Sequence, residues 1–178
     1  MTDAIPEPGA LGDGITLTNW RMVEGEEQIC GLPPFADILR ILDRKRGTRR
    51  MLSRADIDPV AFKLYLPRMT LYELVFDRAG AVDDAMIRLM GTEVVHFYGE
   101  FTGRRVSQYP DRAVPTRIVS CLSHLVRHRT PVAATVDGIR KGKKHVGLKI
   151  LYVPLSEDDI RVNRALSFSF FHFPSLER

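Results

Sequence analysis

The chain has 178 residues, of which 44% are hydrophobic and 27% are charged, and its formal net charge is +4. These proportions are normal for a soluble globular domain whose core needs no disulfides, and the small positive charge does not require a nucleic-acid partner. No apolar run approaches the roughly 18 residues that span a bilayer. Because the two cysteines lie far apart and fit no paired motif, we expect a cytoplasmic protein without membrane contact.

The first 33 residues are predicted to form an N-terminal arm that is partly flexible. Pro and Gly punctuate its first 14 residues, and a Gly-Leu-Pro-Pro run over 31–34 ends it. Within the arm, residues 15–23 predict a strand around Trp20. The main domain is then expected over residues 34–173, followed by a tail over 174–178. Since the last predicted strand ends near Phe173, we expect no kinase, cyclase or DNA-binding output domain in this chain.

The middle of the chain predicts short helices around a pair of strands. Apolar side chains at one helical spacing predict a helix over 35–46, and a second helix is predicted over 58–66, capped by Asp56 and stopped by Pro67. Strand-forming residues then predict strands over 69–76 and 85–90, joined by a turn over 77–80. Thr92 is predicted to cap a two-turn helix that ends at Gly99.

The last third of the chain predicts one long helix and three strands. The helix is expected over 111–129, because its apolar residues share one face. Alternating apolar residues predict strands over 132–139, 146–152 and 166–170, with a basic hairpin tip over 140–144. Two strands and then three, separated by helices, predict an α+β domain. We expect a five-stranded antiparallel sheet with helices on one face, enclosing a ligand-sized pocket.

Three short motifs give the sequence a recognisable pattern. They are Ser-Arg-Ala-Asp-Ile-Asp-Pro over 53–59, followed by Leu66-Pro67 and Leu71; Arg-Leu-Met-Gly-Thr over 88–92, leading to Tyr98-Gly99; and Phe-Thr-Gly-Arg-Arg over 101–105. In their order and spacing they resemble a bacterial PAS family of mostly short alphaproteobacterial proteins, over residues 35–171. The resemblance implies sensing or signalling through a ligand or through dimer contacts. It supplies no catalytic residue.

Six residues are candidates to contact a ligand. Arg88 lies in a predicted strand and, if it faces inward, requires an anionic partner, either a ligand carboxylate or Glu93 or Glu100, of which the internal salt bridge is favoured. His96 and Tyr98 lie on the predicted short helix beside the expected pocket, although a structural histidine is the commoner outcome. Thr92, Leu122 and Ile150 complete the candidate set.

No metal or cofactor is favoured by the sequence. Cys121, His124 and His128 approach one face of the long helix, but Cys121 belongs to the apolar stripe and arginines surround the helix end. The resemblance to light-sensing relatives would require an Asn-Cys-Arg-Phe run for a flavin adduct, and the chain has none. Haem and flavin are therefore not expected, and the identity of any cofactor stays unknown.

The remaining motifs give three alternatives for function. The basic residues over 44–54 could form a phosphate-binding surface, yet such runs are more often solvated or contact acidic partners. No nucleophile, phosphate-loop or metalloprotease motif is present, so no enzyme is expected. We predict a sensory or regulatory domain that binds a small ligand, a protein partner, or both. The alternative is a protein-docking module whose core is filled by its own side chains. Homodimer contacts are expected around Trp20 and residues 168–173.

Overall fold

One antiparallel sheet and the helices packed on it form the described structure. The computed structural model describes residues 16–140 and 144–172, with side chains described over 18–137 and 147–172. The strands are β1 (Thr16–Val23), β2 (Met69–Phe76), β3 (Val82–Met90), β4 (Val132–Arg140), β5 (Lys144–Leu155) and β6 (Arg164–His172). The α-helices of the described part are α1 (Glu26–Cys30), α2 (Phe35–Arg46), α3 (Thr92–Tyr98) and α4 (Ala113–His128). Short 3₁₀ turns cover Arg54–Asp56, Leu66–Arg68 and Val106–Gln108.

The order of the strands places the last strand, β6, beside β2, which comes much earlier in the chain. The sheet runs β1-β4-β5-β6-β2-β3, so β6 lies at the centre between β5 and β2. In that register Ser167 of β6 lies opposite Thr70 of β2 on one side and opposite Tyr152 of β5 on the other. Side chains that are far apart in the sequence therefore meet on the same face of the central strands.

Each face of the sheet carries its own hydrophobic cluster. Because successive side chains of a strand point to opposite faces, Ile150 and Tyr152 of β5 join one cluster, whereas Leu151 and Val153 join the other. We name them the α4-face cluster, which also contains Cys121, Leu122 and Leu125 of α4, and the α2-face cluster, which also contains residues of α1 and α2. Apolar burial on both faces supplies the main driving force for folding.

The predicted α+β class with an antiparallel sheet is confirmed, but two of its details need correction. The sheet has six strands rather than five, because β1 pairs with β4 from Thr16 to Val23. Helices cover both faces rather than one, since β5 is apolar on both sides. Residues 16–30, placed in the N-terminal arm by the sequence, thus form β1 and α1, and Ile29 of α1 is buried in the core. Residues 1–15 and the predicted tail over 174–178 lie outside the described residues.

Most predicted elements are observed, and the helix over 58–66 is the main error. The helix over 35–46 and the strand over 69–76 have the bounds that the sequence predicts. Residues 59–65 instead form successive turns, in which the N–H groups of Phe62 and Leu66 donate to the carbonyls four residues earlier. Pro59 and Pro67 bracket this segment, and neither ring nitrogen can donate a hydrogen bond. The cap of α3 is Gly91 rather than Thr92, because Thr92 is the first helical residue.

Within residues 16–140 and 144–172, every helix is too short or too polar to cross a membrane.

Candidate functional site

A patch of hydroxyl groups lies in the middle of the sheet, on the α4 face. It consists of five residues of β2, β5 and β6, which we name the hydroxyl patch: Thr70, Tyr72, Tyr152, Ser167 and Ser169. Each of the five is at most 5% exposed. Burying a hydroxyl group costs free energy unless it is hydrogen-bonded. A cluster of this kind at the centre of an apolar core therefore calls for a ligand, a water or an internal partner.

The hydrogen bonding of the patch is incomplete. Ser167 Oγ donates to the Tyr72 hydroxyl oxygen at 3.5 Å, which is a long contact. Thr70 Oγ1 is buried without a hydrogen-bond partner in the described part of the chain, although it lies near enough to the Tyr72 hydroxyl to lower the pKa of that group. The patch thus has unused capacity to donate and accept hydrogen bonds.

The tyrosines of this core remain protonated at physiological pH. Burial raises the pKa of Tyr72 to about 12, an effect that the Ser167 hydroxyl partly offsets. Burial also raises the pKa of Tyr152 well above its ordinary value, and the neighbouring Tyr72 adds to the shift. Since serine and threonine hydroxyls are neutral as well, every group of the hydroxyl patch is uncharged. The patch is therefore suited to hydroxyl, carbonyl or amide groups rather than to ions.

Aromatic residues and residues of α4 pack in the same α4-face cluster as the patch. Tyr98 and Tyr109, whose ring centroids are 5.8 Å apart, have their pKa raised by burial and by proximity to Tyr72. Cys121 of α4 is completely buried, and burial raises the pKa of its thiol to about 12. The thiol is thus a neutral neighbour of the patch and a poor nucleophile.

Three of the six predicted ligand residues lie in this part of the molecule. Leu122 of α4 and Ile150 of β5 are buried in the α4-face cluster, and Tyr98 packs against the same cluster. Ile150 lies directly opposite Ser169 in the β5–β6 register. The structure therefore brings Tyr98, Leu122 and Ile150 together around the hydroxyl patch.

The other three predicted residues lie elsewhere. Arg88 is exposed, and its Nε donates to Glu73 Oε2 at 2.7 Å. The favoured internal salt bridge is thus present but with a different acid, since Glu93 pairs with Arg68 at 3.0 Å. Thr92 and His96 are exposed on α3. Their side chains point away from the α4-face cluster, whereas Val94 and Phe97 of the same helix are buried.

The remaining titratable groups on α4 form no metal site. His124 and His128 have ring centroids 4.4 Å apart, and His124 Nδ1 lies 3.5 Å from a Glu24 carboxylate oxygen. Burial lowers the pKa of His124, and the Glu24 carboxylate opposes that shift. Among the described residues, no group of three or more His, Cys, Asp or Glu side chains could hold a metal ion.

Three of the six basic residues over 44–54 form ion pairs with acidic residues. Lys45 pairs with Asp58 at 3.3 Å, and Arg49 pairs with Asp56 at 2.8 Å. Arg46 pairs with Asp43 of its own helix at 2.9 Å. These contacts organise the segment that follows α2, and they occupy side chains that a phosphate backbone would need.

Sequence reasoning missed the hydroxyl patch, although one signal was available. In β6, the residues Ala165, Ser167 and Ser169 alternate with Leu166, Phe168 and Phe170. The strand prediction depends only on the second set, which faces the α2-face cluster. Small polar residues at alternate positions of an otherwise apolar strand indicate a distinct surface on the opposite face.

Comparison with known proteins identifies the family. A family model described as "PAS domain" matches residues 32–168. No curated protein matches the chain.

Several solved structures are similar to the chain at low identity. An RNA-binding light-oxygen-voltage receptor is 13% identical with a TM-score of 0.44, and the match covers 86% of this chain but 38% of that one. A light-oxygen-voltage protein of Rhodobacter sphaeroides is 9% identical with a TM-score of 0.40, covering 80% of this chain and 69% of that one. A sensory box histidine kinase/response regulator of Burkholderia thailandensis is 9% identical with a TM-score of 0.34, covering 64% and 82%. The chain thus spans well under half of the first receptor's length.

The family match covers most of the described structure, including the central strands that carry the hydroxyl patch and the α3–α4 region above it. Domains of this type are generally sensory and signalling. The chain belongs to the PAS domain family.

Proposed function

We propose that this chain is a non-catalytic sensory domain that binds a small, uncharged ligand against the hydroxyl patch. The observation that carries the proposal is the burial of five hydroxyl groups in an apolar core, where Thr70 Oγ1 has no hydrogen-bond partner in the described part of the chain. A ligand with a carbonyl, amide or hydroxyl group on an apolar body would satisfy them and would pack against Leu122 and Ile150. The raised pKa values of Tyr72 and Tyr152 favour a neutral ligand over an anion.

Native mass spectrometry of the purified full chain tests this proposal. Its mass is compared with the mass after denaturation, and any released compound is extracted and identified. We expect an excess mass that disappears on denaturation. A native mass equal to that of the polypeptide, together with no thermal shift from a library of neutral metabolites, would overturn the proposal.

Two variants at the patch sharpen the experiment. Ser167→Val should abolish retention of the compound, because the added methyl groups occupy the centre of the patch. Tyr152→Phe, which removes only one hydroxyl, should weaken retention while leaving the fold intact. Thr102→Val is the matched control, since Thr102 is exposed in the loop after α3. Retention that is equal in all three variants would place the compound outside the patch.

The second candidate function is a docking module whose interior is filled by its own side chains. Stacked aromatic pairs favour it, because the Phe101 and Tyr109 ring centroids are 3.9 Å apart and those of Phe97 and Phe171 are 4.3 Å apart.

We further propose that signals leave through a homodimer or a protein partner. The edge strand β1 has one free side in the described sheet and supports that proposal. The other edge strand, β3, is partly covered, because Ile87 exchanges backbone hydrogen bonds with Gly103 and Arg104. Light scattering during size-exclusion chromatography measures the dimer.

The proposed dimer surface cannot include all of the residues that the sequence predicts for it, around Trp20 and over 168–173. Phe168 is completely buried in the α2-face cluster, and Trp20 packs against the α4-face cluster. Phe173 lies outside the described residues.

We also propose that the chain binds no haem, no flavin and no nucleic acid. An absorbance spectrum of the purified protein tests for both cofactors, and a mobility-shift experiment at low salt tests for duplex binding. A cytoplasmic location is proposed as well, and the two free cysteines of the described part support it. Cell fractionation would test the location.

A further inference from the structure

A cavity lies on the opposite face of the sheet from the hydroxyl patch. Its volume is about 280 Å³, and it is enclosed by α1, α2, the segment after α4 and the end of β5. Its apolar wall includes Ile29, Leu39, Leu42, Leu52 and Val153, all members of the α2-face cluster. The sheet therefore separates this cavity from the proposed ligand site on the α4 face.

Arginine side chains surround the cavity. Arg46, Arg50 and Arg129 line it together with two acids, Glu26 and Asp43. Asp43 is already engaged, because Arg46 Nη2 lies 2.9 Å from its carboxylate. Neither Arg50 nor Arg129 makes a salt bridge with a described residue. The rim thus carries two guanidinium groups without a direct ion pair, although the Asp159 carboxylate is near enough to Arg50 for the two charges to attract each other.

The backbone holds both arginines in place. Arg129 follows α4 in a left-handed conformation, with φ of 57°, and its N–H donates to Leu125 O at 2.8 Å. Its Nε donates to Ile160 O at 3.0 Å, which orients the guanidinium and leaves the two terminal nitrogens for another acceptor. The N–H of Arg50 donates to Asp159 Oδ2 at 3.0 Å. One arginine with an oriented guanidinium and a second with a fixed backbone, both beside an apolar cavity, form a site with both charge and hydrophobic selectivity.

We propose that this cavity binds an amphiphilic oxyanion, a short aliphatic chain that ends in a carboxylate or a phosphate. The chain would pack against Leu39, Leu42 and Val153, and the oxyanion would accept hydrogen bonds from Arg50 and Arg129. The volume lies near the lower limit of about 300 Å³ for small-molecule sites, which favours a compound of modest length. The site goes beyond the proposed function and does not depend on it.

Isothermal titration of the full chain with four eight-carbon compounds tests the proposal. Octanoate and octyl phosphate carry the two possible headgroups, octanol carries none, and octyltrimethylammonium carries the opposite charge. We expect at least one anion to bind at least about tenfold more tightly than octanol, and the cation not to bind. Whichever anion binds more tightly identifies the headgroup. Equal binding of octanol and both anions would overturn the proposal.

Substitutions test whether the anion binds in this cavity. Arg50→Gln and Arg129→Gln should each weaken binding of the preferred anion by about fivefold or more. Arg112→Gln is the matched control, because it removes the same charge at the other end of α4. Leu42→Trp, which fills the cavity, should abolish binding. An equal loss in Arg112→Gln and Arg129→Gln would show general charge attraction and contradict the assignment.

The two sites are distinguished in the same experiment. Ser167→Val and Tyr152→Phe alter only the α4 face, so anion binding should be unchanged in both. Loss of anion binding in these variants would mean that the compound enters the hydroxyl patch instead, and would overturn both the second site and the preference of the patch for neutral ligands.

Discussion

At the residue scale, one carboxylate organises the loop between β5 and β6. Asp158 accepts hydrogen bonds from the N–H groups of Ile160 and Arg161, at 2.9 and 2.8 Å, and from Ser156 Oγ at 2.9 Å. These bonds favour the ionised form and lower the pKa of Asp158 from 3.8 to about 2. A carboxylate with a lowered pKa contributes stability above its unfolded pKa and loses that contribution as the pH falls through its folded pKa.

The Asp158→Asn substitution tests this contribution. We expect the variant to be less stable than the parent at pH 7. Between pH 3.8 and about 2, the parent should lose stability that the variant never had, so the difference between them should shrink. Urea denaturation midpoints across that pH range measure the effect. Asp83→Asn, at an exposed position of β3, is the control. A constant difference down to pH 2 would contradict the prediction.

Gly91 is a residue where space, rather than backbone conformation, requires glycine. A Cβ atom there would collide with the backbone carbonyl oxygens of Leu66 and Pro67. The Gly91 N–H also donates to Met69 O at 2.7 Å, which fixes the start of α3 against β2. The two backbones cannot separate without losing this bond.

We therefore expect Gly91→Ala to destabilise the protein by about 2–3 kcal/mol, as overpacking in a core does. Thermal denaturation followed by circular dichroism measures it. Gly147→Ala is the control, because its Cβ would lie 3.6 Å from the nearest atom, His172 Cβ, an ordinary contact. Equal stability of Gly91→Ala and the parent protein would show that the segment before β2 can move aside.

At the element scale, α4 carries a cysteine whose chemistry is set by its position. Cys121 is 0% exposed, and burial raises its thiol pKa to about 12, whereas Cys30, the last residue of α1, is half-buried. Only the thiolate reacts with disulfide reagents. In the Cys30→Ser variant, we expect Cys121 to react with such a reagent only after the protein unfolds. Release of the coloured thiol product measures the rate with and without urea. Rapid reaction of the folded variant would contradict the burial of α4.

The elements themselves were largely predictable where the local pattern decides them. α2 and α4 have clear apolar stripes, and β2 is rich in strand formers with a turn after it. The segment after Asp58 also has a helical pattern, but prolines at both ends and exposed Val60 and Leu64 leave it as turns. α1, which has five residues, is too short for periodicity to reveal.

The candidate site was less predictable because it is assembled across the whole molecule. Thr70, Tyr152 and Ser167 come from three strands that are distant in the sequence, and only the order β5-β6-β2 brings them together. Local patterns do not encode that order. The sequence pointed instead to Arg88, Thr92 and His96, because a polar residue beside a turn has the same signature whether it faces a ligand or the solvent. Tyr98, Leu122 and Ile150 were found because they belong to apolar or helical patterns that do report the core.

At the scale of the whole molecule, the sheet couples the two clusters. Leu151 and Val153 belong to the α2-face cluster, and their neighbours Ile150 and Tyr152 belong to the α4-face cluster. Disruption of either cluster must therefore disturb the same strands. Trp20, the only tryptophan of the chain, packs against the α4-face cluster and reports on that side alone.

Phe168→Ala tests this coupling from the opposite side, because Phe168 is completely buried in the α2-face cluster. We expect a loss of about 3–5 kcal/mol, as for other buried phenylalanines. Trp20 fluorescence and circular dichroism should give the same shifted denaturation curve, since the two clusters unfold as one unit. Leu64→Ala, at a side chain that is 79% exposed, should leave both curves unchanged. If Trp20 fluorescence kept the parent's midpoint while the circular dichroism curve split into two transitions, the faces would be independent. A ligand on one face could then send no signal through the sheet to the other.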